Sequence, residues 1–141
     1  MSGVACPKPQ KGTALIERRT RRKAIEAYED REKQIVRRRD RVCRWPRCEN
    51  CRCFKPRLEV AHLSAKGAGG DHGQKSSADA MILLDMLTHQ GGPSSLEQHG
   101  RRIEPLTTAG TSGPCEFWAL DEKGAWYLVA RERSIGILER D

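Results

Sequence analysis

The sequence predicts a small α+β protein in which a basic helix and a cysteine cluster precede several short strands. Residues 13 to about 41 contain no Gly or Pro and are rich in Arg, Lys, Glu and Ala, which are good helix formers. Four cysteines fall within residues 43–53, and residues 58–63 alternate apolar and polar side chains as a strand does. With 37% hydrophobic and 32% charged residues, the chain can bury only a modest core, which a bound metal would help to stabilise.

The charge of the chain is divided unevenly between its two halves. Residues 1–60 hold 18 Lys and Arg against 8 Asp and Glu, whereas residues 61–141 hold 8 against 11. A net charge of +7 concentrated in the front half indicates a polyanionic partner, which is DNA with RNA as the alternative. A solvated helix without a partner is the competing interpretation. The residues expected to contact backbone phosphates are Arg37, Arg38, Arg39, Arg41 and Lys66.

The predicted helix has only a thin apolar stripe, so we expect it to be mostly exposed and to dock weakly, if at all. After it, residues 81–84 predict a short buried strand, and Asp85 is a plausible N-cap for a helical turn over residues 86–90. Residues 103–106 predict another strand, and residues 116–120 and 126–129 a C-terminal β-hairpin. We therefore expect a basic, largely helical arm at 1–42, a domain at 43–110 and a hairpin extension at 111–141.

The cysteine cluster has the spacing of a metal site. Cys48 and Cys51 are separated by the two-residue gap that lets both thiolates face one ion, as in a zinc knuckle. Cys43 and Cys53 complete four possible ligands for a structural Zn²⁺, although the crowding of Cys51 and Cys53 makes an all-cysteine site awkward. One cysteine then stays out, and Asp85 or a histidine takes its place. The alternative is a set of reduced, partly buried thiols.

The strand at 58–63, the glycine-rich loop at 66–73, the run at 80–85 and His89 together resemble the motif of the HNH endonuclease superfamily. The upstream cysteines and Arg-rich helix are similar to the front of many phage and bacterial HNH proteins. The resemblance covers residues 37–110, about half of the chain. It implies a small ββα-metal (His-Me finger) domain and hydrolysis of DNA to 5′-phosphate and 3′-hydroxyl ends.

The resemblance also implies roles for particular residues. In that family a strand histidine is the general base, and His62 matches its position, while His89 matches a ligand of a divalent ion, Mg²⁺, Mn²⁺ or Ni²⁺. Asp85 lies four residues before His89 and is a second candidate ligand, or only a helix cap. The candidates that replace departed motif residues are Asp79, which lies beside the position of the motif Asn, and Asp71 or His72 in the glycine-rich loop, with His99 as a further alternative.

Three functions remain open at this point. The first is a metal-dependent HNH-type endonuclease, and the second is a non-catalytic, zinc-braced nucleic-acid-binding module that kept the fold. The third, a protein-interaction domain using Trp118, Trp126 and Tyr127, is weaker because these side chains are expected to fill the core of the hairpin. No apolar run has the length of a signal peptide or a membrane span, so we expect a cytoplasmic protein without a membrane partner.

Overall fold

The computed structural model of the protein describes residues 11–49, 51, 57–63 and 76–140, and it has the predicted mixed α+β class. The elements that position the sites are, in chain order, α1 (Lys11–Asp40), β1 (Leu58–His62), β2 (Met81–Asp85), α2 (Met86–Gln90), β3 (Arg101–Pro105), β4 (Cys115–Leu120), β5 (Trp126–Ser134) and β6 (Ile137–Leu138). Two short 3₁₀ turns, Ala78–Ala80 and Gly110–Ser112, precede β2 and β4. Strands predicted at 58–63, 81–84 and 103–106 are confirmed within one or two residues.

The first sheet is the antiparallel pair β1–β2, which leads directly into α2. Its register places Leu58 opposite Asp85 and His62 opposite Met81. Successive side chains of a strand point to opposite faces, and the burial follows that rule. Ala61 belongs to a core on one face, and Val60 to a separate core on the other.

We call these the cysteine face and the helix face of the β1–β2 pair. The core on the cysteine face contains Trp45, Cys48, Ala61, Ile82, Leu84, Ile103, Cys115 and Phe117. The core on the helix face contains Val36, Val60, Ala78, Met81 and Leu83. The short run at 81–84 is apolar at every position because β2 is covered on both faces.

The second sheet has the order β3-β4-β5-β6 and is antiparallel throughout. The predicted C-terminal hairpin is confirmed as β4–β5. Its aromatic side chains are placed differently from the prediction, because Phe117 occupies the inward position of β4 and is fully buried. Trp126 is 38% exposed and Tyr127 is 49% exposed, so the expectation that they fill the hairpin core is wrong.

Helix α1 docks more firmly than its thin apolar stripe predicts. Val36 is fully buried against the helix face, and the charged residues Glu29 and Asp40 are also buried. The prediction of a mostly exposed helix is confirmed for residues 12–27, whereas the prediction of weak docking, which counted apolar residues only, missed the contacts of the second half. Asp40 accepts a hydrogen bond from the backbone N–H of Leu83 at 3.0 Å, so a charged side chain fixes the helix to β2.

A buried ionic network joins the end of α1 to the second sheet. Arg44 bonds Asp40 at 3.3 Å and Glu132 at 2.6 Å, and the side chains of all three are at most 1% exposed. Glu132 also accepts hydrogen bonds from the backbone N–H groups of Cys115 and Gly136. Burial alone lowers the pKa of Arg44, but its bond to Glu132 outweighs burial and raises that pKa.

Among the described residues, no helix is both long enough and apolar enough to cross a membrane.

Candidate metal centre and histidine sites

Four side chains from two segments converge beside the cysteine face. Cys43, Cys48 and Cys51 come from the segment after α1, and Asp85 is the last residue of β2. One ligand atom of each lies within 4.8 Å of those of the other three. The Oδ2 atom of Asp85 is 2.9 Å from Sγ of Cys48 and 3.4 Å from Sγ of Cys43. These four residues therefore lie close enough to hold one metal ion.

Asp85 performs two structural tasks. Its Oδ2 faces the cysteines, while its Oδ1 accepts a hydrogen bond from the backbone N–H of Thr88 at 3.0 Å, which caps α2. The hydroxyl of Thr88 also donates to Oδ2. The predicted cap is confirmed, and the same carboxylate supplies the fourth ligand position beside the thiols. The four-residue cluster is thereby joined to the start of α2.

The protonation of this centre reflects its burial. Burial raises the pKa of Cys43, and it raises the pKa of Cys51 to about 11. Burial also acts to raise the pKa of Asp85, but hydrogen bonds from Cys48 and Thr88 outweigh it and lower that pKa to about 2. Without an ion, burial thus favours the protonated thiols of Cys43 and Cys51 beside the carboxylate of Asp85. An ion must displace the thiol protons in order to bind.

Two features surround the centre. A cavity of about 400 Å³ lined by all three cysteines, Val42, Trp45, Arg47 and Leu58 opens beside it and provides an entry path. The guanidinium of Arg101 also lies near the centre, 4.5 Å from the middle of the Trp45 ring. Burial lowers the pKa of Arg101, and the nearby carboxylate of Asp85 opposes that effect. An anionic thiolate centre would favour this cation.

The prediction that one cysteine yields its ligand position to Asp85 agrees with this arrangement. Cys51 is in the cluster, and Cys53 lies outside the described residues. Cys115, to which the sequence assigned no role, is fully buried in the core of the cysteine face and is a free thiol. Burial raises its pKa to about 11.

His62, the predicted general base, stands at the end of β1 on the helix face. Its Nε2 atom is 3.6 Å from Oε1 of Glu29, which belongs to the buried side of α1. The same Glu29 oxygen forms an ion pair with Lys33, four residues later in the helix, at 3.1 Å. A separation of 3.6 Å is too long for a direct hydrogen bond between these two atoms, so the carboxylate lies beside the ring without bonding Nε2.

His89, the predicted metal ligand, lies elsewhere. Its Nδ1 atom is 2.9 Å from Oε2 of Glu59, and the amide of Gln90 donates to the same carboxylate. Glu59 alternates with Val60 and so belongs to the cysteine face, whereas His62 belongs to the helix face. The two histidines thus interact with different carboxylates on opposite faces of β1.

The remaining predicted residues fall into three groups. Asp79 is exposed and accepts a hydrogen bond from the hydroxyl of Ser112, and His99 is exposed at a left-handed backbone position. Asp71, His72 and Lys66 lie outside the described residues. Among the cations predicted to contact phosphate, the exposed ones are Arg37, Arg38 and Arg41.

Arg39 differs from its basic neighbours because its side chain is used inside the fold. Its guanidinium donates to the backbone carbonyls of Ala78 and Met81, both at 2.9 Å, and pairs with Asp40. Only 12% of the side chain is exposed. Arg39 therefore fastens α1 to β2, and little of its charge faces solvent.

Sequence reasoning missed the two carboxylates beside the histidines. Glu29 precedes the buried Val36 by seven residues, a spacing that puts both on one helix face. That spacing was the available signal, and it was obscured by the many other charges of the helix. No comparable signal pairs Glu59 with His89, because the two residues lie in different elements.

Comparison of the chain with protein-family models, with curated proteins and with solved structures gives no match.

Proposed function

We propose that the protein is a metal-dependent endonuclease of the HNH type that hydrolyses DNA phosphodiester bonds. The observation that carries the proposal is the setting of His62. It ends the first strand of an antiparallel pair that leads into a helix, and a buried carboxylate, Glu29, lies beside its ring. This is the order of elements in which the HNH resemblance assigns the strand histidine as the general base.

The chemistry follows from the imidazole and its neighbour. A neutral imidazole accepts a proton from water near pH 7, and the resulting hydroxide attacks the phosphorus. Nε2 of His62 faces Glu29, so Nδ1 is the nitrogen that takes the proton. The negative charge of Glu29 then stabilises the imidazolium, as the buried carboxylate of a catalytic triad does.

The divalent ion of the HNH site is part of the proposal, but the described residues do not assemble its ligands. His89 is bonded to Glu59, and Asp85 belongs to the cysteine centre. Within the ranges described, the cysteine centre is the one group of three or more candidate ligands close enough to hold an ion. We therefore derive no step through that ion, and Asp71 remains its candidate ligand.

We further propose that the cysteine centre holds a structural Zn²⁺. Three thiolates and one carboxylate are a ligand set that suits zinc, and four protein ligands close its tetrahedral shell. The ion would fix the segment around Cys43, Cys48 and Cys51 to the start of α2. Its role would be to hold the β1–β2 pair and α2 in place.

Plasmid nicking in Mg²⁺, Mn²⁺ or Ni²⁺, with chelator as the blank, tests the enzyme. Replacing the base, His62→Ala, should lower the cleavage rate by about 10²–10⁴-fold and leave DNA affinity nearly unchanged. The control is Gln98→Ala, which removes an exposed side chain that was given no role in the site and should leave the rate unchanged. Equal cutting by wild type and His62→Ala would refute the assignment of the base.

The second candidate is a non-catalytic, zinc-braced nucleic-acid-binding module. The placement of His62 and His89 on opposite faces of β1 favours it, because a general base and a metal ligand must face the same phosphate. The nicking assay separates the two functions. A wild-type protein that binds DNA and cuts with none of the three ions is a binding module.

A further inference from the structure

The two halves of α1 have different surroundings. From Tyr28 to Asp40 the helix contains buried and half-buried side chains packed on the β1–β2 pair. Over residues 12–27 every side chain is exposed except that of Ala14, which is half-buried. At 1.5 Å per residue, this first half has a length of about 24 Å. It is the part of α1 that is available to a partner.

The face of α1 that packs on the sheet continues along this exposed half. Glu29, Val36 and Asp40 mark that face, since all three are buried. With 3.6 residues per turn, the positions that continue it toward the N-terminus are Ile25, Arg22 and Arg18. All three are exposed. We call these three residues the arginine ridge.

The ridge ends at the candidate base. Glu29, which follows Ile25 by four residues on the same face, is the residue that lies beside His62. Along the helix axis, Arg22 is about 10 Å and Arg18 about 16 Å from the level of Glu29. Two guanidinium groups on successive turns therefore extend away from His62 in one line.

We propose that the arginine ridge binds the phosphate backbone of the DNA strand that reaches His62. The inference rests on the proposed function and names the surface that holds its substrate. Charge complementarity identifies the occupant, because residues 17–26 hold five Arg and Lys against two Glu. Arginine suits the task, since its planar guanidinium donates two parallel hydrogen bonds to a phosphate.

A pair of double variants tests the ridge against general charge. Arg18→Gln with Arg22→Gln removes two charges from the ridge, and Arg19→Gln with Lys23→Gln removes two from a surface turned away by roughly a third of a helical turn. Glutamine keeps the helix propensity in both variants. Circular dichroism should show the same helix content in both.

Affinity for a duplex DNA oligonucleotide is measured against salt concentration for each protein. The ridge variant should lower the slope of log K against log salt by about 2, because each lost phosphate contact removes about 0.9. The control variant should lower it by less than half as much. Equal slopes for the two variants, or a ridge variant that binds like wild type, would overturn the proposal.

Cleavage kinetics separate this inference from the proposed activity. The ridge variant should raise KM for plasmid nicking about tenfold or more with kcat nearly unchanged, whereas His62→Ala lowers kcat. If wild type does not cut but the ridge variant still loses its salt slope, the ridge binds DNA and the enzyme proposal fails. If the ridge variant loses kcat without any change in DNA affinity, the ridge proposal is wrong.

Discussion

The two faces of the β1–β2 pair are built by different means. The cysteine face sets three thiols and Asp85 beside a core of apolar side chains, so that polar ligands lie next to the packing. On the helix face, apolar side chains of the β1–β2 pair pack against α1. Its polar contacts are hydrogen bonds from Arg39 and to Asp40. The first face thus offers a group of ligands that could hold an ion, and the second face uses its polar groups to attach the helix. Stability should depend on metal only through the cysteine face.

Metal removal should have the largest effect, and it should act through the cysteine face. Binding of structural zinc is worth on the order of 10 kcal/mol in zinc-finger peptides, which is comparable to the whole stability of a small domain. We expect chelator to lower the Tm of wild type by tens of degrees. Cys48→Ala should have the low Tm already and lose its response to chelator, as measured by thermal unfolding with and without added Zn²⁺.

Cys115→Ala is the matched control for that experiment. It removes a buried thiol from the same core without touching the four-residue centre. Its cost should be that of an ordinary core truncation, about 1–2 kcal/mol, with the chelator response intact. A wild type whose Tm ignores chelator, in protein shown by elemental analysis to contain zinc, would contradict the role of the ion.

The ionic network around Arg44 should show the second largest effect, and it should be independent of metal. Arg44→Met leaves Glu132 buried without its cation, which costs about 3–5 kcal/mol in comparable buried pairs. Replacing both partners, Arg44→Met with Glu132→Gln, removes the unpaired charge and keeps an acceptor for the backbone N–H groups that Glu132 binds, so it should recover part of that loss. Urea unfolding measures both variants, with chelator and without it. If Arg44→Met no longer lowered the free energy of unfolding in the presence of chelator, the network would depend on the metal centre. The two faces would then not be independent.

Stability at alkaline pH should show how the buried thiol Cys115 differs from the three cysteines of the cluster. Burial raises the pKa of Cys115 to about 11, from 9.0 for an exposed thiol. A raised pKa means that the folded state favours the protonated thiol, so this contribution is fully present below pH 9 and is lost as pH rises through 11. At 1.36 kcal/mol per pH unit, the loss is up to about 3 kcal/mol. Cys115→Ala should lack this component of the loss, and identical pH profiles for the two zinc-loaded proteins would contradict it.

The elements of the fold follow from local sequence to a large extent. Strands at 58–62 and 81–85, the cap at Asp85 and the C-terminal hairpin were all predictable, because alternation, apolar runs and capping residues act over a few positions. The approach of Asp85 to the cysteines was predictable as one of two alternatives. The sequence does not show whether Asp85 or a histidine is the fourth residue of the cluster, because that depends on where β2 places the carboxylate in the fold.

The contacts between distant segments were not predictable. Arg39 and Arg38 are neighbours in a run of three arginines, yet Arg39 is fixed to Ala78 and Met81 while Arg38 is exposed. The choice depends on which side of α1 meets the sheet, and the weak apolar stripe did not reveal that side. For the same reason the neighbours of His62 and His89, Glu29 and Glu59, could be found only in three dimensions.

The smallest expected effects concern the exposed aromatic residues of the second sheet, and they test where the core ends. Trp126→Ser removes a ring that is 38% exposed and lies 4.8 Å from the guanidinium of Arg102, a contact worth about 0.5–1 kcal/mol at an exposed site. We expect Trp126→Ser to lower the free energy of unfolding in urea by about 1 kcal/mol, and Tyr127→Ser by no more.

Phe117→Ala, by contrast, empties a fully buried position and should lower the free energy of unfolding by about 3–5 kcal/mol. If Trp126→Ser cost as much as Phe117→Ala, the core would extend across the outer face of the hairpin, as the sequence alone predicts. The stability of the cysteine face would then depend on aromatic packing as well as on the proposed ion. Chelator would in that case lower the Tm by less, because packing of the hairpin would still stabilise the fold.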